Sequence, residues 1–180
     1  MIDPLAFVLA VGAPLLILIY YVEGLVIGKV LQPPAVFVGY IAVTDPSPGL
    51  TALVAVGCAL AATFGQWTLY RGFNDNAPEI LGLRRYVPYL DTVPDRVMGQ
   101  VGERRMAIVQ RVFYQWGAVG IAGTNALPAI RGFVTIPAGL SRYPVRPFVL
   151  ASTTGNLIYV AILVGVAWGL LEAIGFLFGA

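Results

Sequence analysis

A chain of 180 residues has room for one domain, and this one is 58% hydrophobic and only 11% charged. Soluble domains carry about 25% charged residues, so the composition excludes an ordinary water-soluble protein and implies a surface that meets lipid. A net charge of +2, one cysteine (Cys58) and no histidine exclude a strongly basic nucleic-acid binder, a disulfide framework, a His/Cys metal site and a histidine general base.

The first apolar run, Pro4 to Val22, carries no charge and approaches the ~20 residues that a spanning helix needs. It lacks the basic start and small-residue cleavage site of a secretory signal, so a retained helix is expected. Next, Gln32 to Thr44 is apolar but opens on Pro33-Pro34 and closes at Thr44-Asp45-Pro46. That leaves roughly ten helical residues, about 15 Å, or half of a ~30 Å hydrocarbon core. Pro46 to Tyr70 is uncharged and long enough to span, and Cys58 within it reads as a packing residue.

The segment Arg71 to Arg111 holds seven arginines, two glutamates and three aspartates, which the positive-inside rule places in the cytoplasm. Thr92-Val-Pro-Asp95 has the form of a helix start. Val97, Met98, Val101, Ile108, Val109 and Val112 follow at helical spacing, with Arg96, Arg104 and Arg105 between them. A helix along the inner membrane surface, its arginines near anionic headgroups, fits this pattern; so does a solvated linker helix.

Val112 to Ile130 is again uncharged. It is interrupted around Gly123-Thr124-Asn125 and at Pro128, and followed by Arg131 and Pro137. Two half-length pieces forming a re-entrant hairpin are expected there, with Asn125 or Thr124 capping a half-helix that begins near Ala126. Pro147 to Leu171 is a comfortable span. The tail from Glu172 either completes it or lies at the interface.

Each half thus offers a broken hairpin followed by a long span, and paired interrupted segments point to a transporter with inverted repeats. The expected fold is an all-α integral membrane domain with spanning helices and two opposed re-entrant helical hairpins in an inverted repeat. Half one covers about residues 1–72, a cytoplasmic connection about 73–106, and half two about 107–180. The hairpin breaks are assigned to Pro33, Pro34, Pro128, Pro137 and Gly139.

Ionisable groups inside a membrane cost about 2.5–3.5 kcal/mol at a helix centre, which makes Glu23 and Arg131 functional candidates. A guanidinium is a planar fork of donors suited to phosphate. Beside the N-terminus of a half-helix at Ala126 it would form an anion cradle with Asn125 and Thr124. Arg131 paired with Glu23 or with carbonyls is the structural alternative. Glu23 is either a buried proton carrier or a helix-end carboxylate reaching water. The GxxxG spacings Gly24/Gly28, Gly165/Gly169 and Gly175/Gly179 allow close helix approach within the chain or, alternatively, in a homodimer. Tyr20, Tyr21, Trp67, Tyr70, Trp116 and Trp168 fall near segment ends as interfacial belts. Gly117, Gly120 and Gly123 have the wrong spacing for a nucleotide loop. No nucleophile–base pair is present, so an enzyme is not expected, nor is a cofactor or metal.

Asn125-Ala-Leu-Pro128-Ala-Ile-Arg131-Gly-Phe-Val-Thr-Ile-Pro137-Ala138-Gly139, then Phe148 and Gly155-Asn156, resembles the signature of the DedA family, also called the SNARE-associated or VTT-domain family. Phe113-Tyr-Gln-Trp-Gly117 is similar to its aromatic-and-glycine lead-in, and Glu23 to its acidic residue before the first hairpin. The resemblance covers roughly Glu23 to Gly169. It implies two opposed re-entrant hairpins and transport of polyprenyl phosphates or phospholipids across the cytoplasmic membrane of a prokaryote, in several members driven by proton-motive force. Of four charged positions it implies, Glu23 matches the first acid and Arg131 the second arginine, while Ala35 and Asn125 stand at the other two. The expected function is therefore transport of an anionic lipid, with Arg131, Asn125 and Thr124 on the substrate and Glu23 in proton coupling. An uncoupled scramblase and a non-transporting membrane scaffold are the alternatives; an ion channel would need a polar pore lining that no span provides.

Overall fold

Prolines and apolar runs set most of the helix boundaries. The computed structural model describes residues 4–25, 33–74, 103–127 and 130–178, and every regular element among them is a helix. Helix α1 spans Pro4–Leu25. Helix α2, Pro33–Thr44, has 12 residues and opens on the two prolines, whose missing N–H groups cost nothing in a first turn. The Thr44 hydroxyl donates back to the Tyr40 carbonyl (2.7 Å). Asp45 then turns the chain with φ 39°, and Pro46 prevents the helix from continuing.

Helix α3, Pro48–Phe73, has 26 residues. Its first turn is capped by the Ser47 hydroxyl, which accepts from the Leu50 N–H (3.4 Å). Arg71 occupies the last turn, where a cation suits the helix dipole, and its guanidinium lies 5.0 Å from the centre of the Trp67 ring.

Helix α4, Glu103–Ala126, is broken at Gly117, whose φ 50° and ψ −122° are readily available only without a side chain. Its first part overlaps the expected surface helix, whose start at Thr92 lies outside the described residues. The break expected at Gly123-Thr124-Asn125 is not there: all three residues are helical, and α4 ends at Ala126. Helix α5, Thr135–Leu140, has 6 residues, and a turn through Arg142 (φ 55°) leads from it to α6. Helix α6, Val145–Phe178, has 34 residues and includes the tail from Glu172 to Phe178.

Contacts divide the chain into one unit of residues 1–65 with 156–180 and a second of 66–155. The division falls inside α3 and α6, so each unit contains part of both long helices. The first unit packs Leu16 and Tyr20 of α1, Phe37 and Ile41 of α2, Cys58 and Ala62 of α3, and Tyr159 and Leu163 of α6 into one apolar core. Tyr20 meets Phe37 edge-on at 6.1 Å. The second unit has its own core of Tyr70, Ile121, Val134, Ala138, Phe148 and Ala151, in which Tyr70 stacks on Phe148 at 4.6 Å.

Helices α3 and α6 are long and apolar enough to cross a membrane. Only 39% and 33% of their most apolar windows is buried, whereas the core helix of a soluble protein hides most of its apolar surface. Leu53, Leu60 and Phe64 on α3 and Leu150, Ile162 and Val166 on α6 face outward. Arg104, Arg105 and Arg111 lie on the α4 segment, but residues 75–102 of the arginine-rich connection lie outside the described residues.

Each long helix is crossed at a glycine. A Cβ on Gly65 would overlap the Tyr21 carbonyl oxygen and lie 2.9 Å from Gly24 Cα. A Cβ on Gly155 would overlap the Ala122 carbonyl oxygen and lie 2.7 Å from Asn125 Cβ. Tyr21 and Ala122 stand at the same distance from the ends of α1 and α4, so the two crossings share one register. Gly24 thus serves intramolecular packing, while its GxxxG partner Gly28 lies outside the described residues. Gly165 and Gly169 have nothing within 4 Å of an added Cβ. We predict that Gly65→Ala and Gly155→Ala each cost about 1–3 kcal/mol, whereas Gly165→Ala is neutral. Thermal unfolding in detergent checks this, at roughly 2–4 °C per kcal/mol.

Candidate functional site

The second unit buries polar side chains in otherwise apolar helices. Gln66 of α3 (1% exposed), Thr124 and Asn125 of α4 (2% and 0%) and Ser152 of α6 (0%) are shut away from solvent. In a hydrocarbon setting an unsatisfied polar group costs several kcal/mol, so each needs a partner. Asn125 supplies most of them. Its Oδ1 accepts from Gln66 Nε2 (2.9 Å) and from the Gly132 backbone N–H (3.2 Å). Its Nδ2 donates to Ser152 Oγ (3.3 Å).

Between α4 and α5 the chain runs through a series of tight turns. Leu127 N–H donates to Thr124 O, Ile130 to Leu127 O, Phe133 to Ile130 O (each 3.3 Å), and Thr135 to Gly132 O (3.1 Å). Gly132, at φ 80°, makes the sharpest bend, and glycine alone takes it without strain. Arg131 is half-buried beside it.

This geometry corrects the expected anion cradle. No helix begins at Ala126; α4 ends there, so Asn125 and Thr124 lie in its last turn and cap no half-helix. The Thr124 hydroxyl donates back to the Gly120 and Ile121 carbonyls (2.9 and 3.0 Å), a bond compatible with continued helix. Asn125 instead reaches forward across the break to Gly132. The next helix, α5, has no side-chain cap. A helix dipole at Ala126 therefore presents its negative end, and any attraction for an anion in the break falls to Arg131.

The assigned breaks also shift. Pro33 and Pro34 open α2, and Pro128 lies outside the described residues. Pro137 and Gly139, however, sit inside α5 and do not break it. Pro137 is in the first turn, where a missing N–H is harmless. Gly139 is a packing position: an added Cβ would lie 2.7 Å from Phe73 Cβ and 2.9 Å from the Tyr70 carbonyl oxygen. The Tyr70 hydroxyl donates to the Tyr143 carbonyl and accepts from Asn74 Nδ2, tying the end of α3 to the α5–α6 turn.

In the first unit, Glu23 is half-buried in the last turn of α1. There Asn156 Nδ2 of α6 donates to Thr63 Oγ1 of α3 (3.0 Å), which in turn donates to the Ala59 carbonyl (2.9 Å). An apolar hollow of about 380 Å³ lies between α3 and α6, floored by Ala52, Ala55, Val160, Ala161 and Val164. Gln66, Thr63 and Ser152 were not anticipated as site residues. The available signal was composition: Gln66 and Asn156 are the single carboxamides in the runs Pro46 to Tyr70 and Pro147 to Leu171. No family model, curated protein or solved structure matches the chain.

Hydrogen bonds between membrane helices are worth about 0.6 kcal/mol on average, but a stranded buried group costs about 1–3 kcal/mol. Asn125→Leu removes three bonds and leaves the Gly132 N–H without its acceptor, while Ser152→Ala removes one bond. The predicted order of destabilisation is Asn125→Leu well above Ser152→Ala, by at least about 1 kcal/mol, read from thermal unfolding in detergent.

Proposed function

We propose that the chain is a multi-pass protein of the cytoplasmic membrane that moves an anionic lipid, a polyprenyl phosphate or a phospholipid, from one leaflet to the other. One observation carries this reading: a half-buried arginine in a non-helical break, next to Gly132, whose N–H is held by the buried Asn125 carboxamide. Irregular backbone at membrane depth is tolerated only where protein covers it or it lines a cavity. An arginine in such a place marks a binding or transport path by default. Arg131 would contact the phosphate. Asn125, already engaged on both amide atoms, would hold the break rather than the substrate, and Thr124 would do the same for the end of α4.

The architecture supports a pair of re-entrant hairpins. α2 with 12 residues and α5 with 6 are about 18 Å and 9 Å long, too short to cross a ~30 Å core. Long helix, short helix and long helix follow one another twice. Each closing helix is crossed at a glycine in the same register, and each glycine is followed by the lone carboxamide of its run, Gln66 or Asn156. Those correspondences favour an internal repeat of the kind that supports alternating access. They also fit the DedA resemblance.

Coupling is a separate matter. With Ala35 exposed on α2 and Asn125 neutral and buried, two of the four charges that the resemblance implies are missing. That favours uncoupled scrambling as the second reading, with Glu23 as the remaining candidate proton carrier.

Purified protein in liposomes tests the proposal by transbilayer movement of a polyprenyl phosphate. Arg131→Ala should slow it at least tenfold, equivalent to about 1.4 kcal/mol, without lowering the unfolding temperature. Equal rates for wild type and Arg131→Ala would overturn the assignment. In the coupled reading Glu23→Gln removes the pH dependence of transport; a wild type with no pH dependence selects the scramblase.

A further inference from the structure

We infer that Gln66 is a positioning residue that sets where Arg131 stands, acting through Asn125 and through Gly132. Three observations meet at one peptide group. Gln66 Nε2 donates to Asn125 Oδ1 at 2.9 Å. The same oxygen accepts the Gly132 N–H at 3.2 Å. Gln66 Nε2 also stands 4.0 Å from where a Cβ on Gly132 would be, so the Gln66 amide abuts the bend directly.

The Gly132 N–H belongs to the peptide that joins Arg131 to Gly132. A peptide is planar, so holding that N–H in place also fixes the plane containing the carbonyl and Cα of Arg131. Asn125 holds the N–H, and Gln66 holds the Asn125 amide in the orientation that presents Oδ1. With Gln66 anchored in a 26-residue helix and 1% exposed, the guanidinium's origin is tied to α3, 65 positions earlier in the chain. The Ser152 bond reaches Asn125 on its other atom, Nδ2, and does not compete for the shared oxygen. This role holds whatever Arg131 binds.

The single native cysteine makes the test direct. In a Cys58→Ala background, Arg131→Cys introduces one thiol in the break, and its rate of reaction with N-ethylmaleimide, a small uncharged reagent, in detergent solution reports how the break is held. Adding Gln66→Met, which keeps length but loses the donor, should change that rate about threefold to tenfold, the factor one hydrogen bond is worth. Gln66→Leu, which loses both amide atoms, should shift it in the same direction. A thiol placed instead by Val119→Cys or Leu150→Cys, both outward-facing in the same unit, should react at an unchanged rate. Rates at position 131 that stay within about twofold in folded Gln66 variants would overturn the inference. So would parallel changes at the control positions, or failure of both variants to fold, since either means a merely structural role. Transport is read separately, in protein with Arg131 intact. A changed thiol rate in a protein that moves no lipid leaves the positioning role standing and removes the proposed function.

Discussion

Asn125 Oδ1 accepts two hydrogen bonds, one from a side chain on α3 and one from the backbone of the break, and the polar interior of the second unit is arranged around that atom. An apolar helix can end inside hydrocarbon only if the backbone groups it abandons find partners. Here the Thr124 carbonyl accepts the Leu127 N–H, the turns that follow bond three residues back along the chain, and the bend at Gly132 takes its acceptor from Asn125. A neutral carboxamide is suited to this position because it both donates and accepts. An arginine at the same place would offer donors only, and neither Gln66 Nε2 nor the Gly132 N–H could bond to it.

Close helix approach and polar bonding reinforce each other at this point. The Gly155 backbone lies against Ala122 and Asn125, which brings α4 near enough to α6 for Asn125 to reach Ser152. In membranes such packing carries much of the stability, because lipid tails are as apolar as the side chains and association gains little from the hydrophobic effect. In the first unit Gly65 lies against the end of α1 in the same way, and the Asn156–Thr63 bond joins α6 to α3. Small residues and single amides thus do together what a charged pair would do at a higher desolvation cost.

Much of the helical framework was legible because its signals are local. Pro33-Pro34 opens a helix, and Thr44-Asp45-Pro46 separates it from the long run that follows, for reasons confined to a few residues. Pro128 and Arg131 signal an interruption in this stretch, but not that α4 runs on to Ala126: a carboxamide next to a break reads equally as a cap for the following helix or as the last turn of the preceding one. The bend at Gly117 has no comparable local signal, because a glycine within an apolar helix only sometimes takes a positive φ. The bonds Gln66–Asn125 and Asn156–Thr63 link residues 59 and 93 positions apart. A single sequence marks such residues as unusual, as lone carboxamides in uncharged runs, without saying which of them meet.

The account turns on a broken helix end standing inside the membrane with its arginine at half depth. A spin label attached to the thiol of Arg131→Cys, in the Cys58→Ala background and in liposomes, measures that depth from its relative collision rates with oxygen and a water-soluble nickel chelate. The account predicts a label well inside the hydrocarbon, about 10–15 Å from the nearer headgroup region of a ~30 Å core. A label at the headgroups would contradict it, leaving Arg131 as an interfacial cation and the break as an ordinary surface turn.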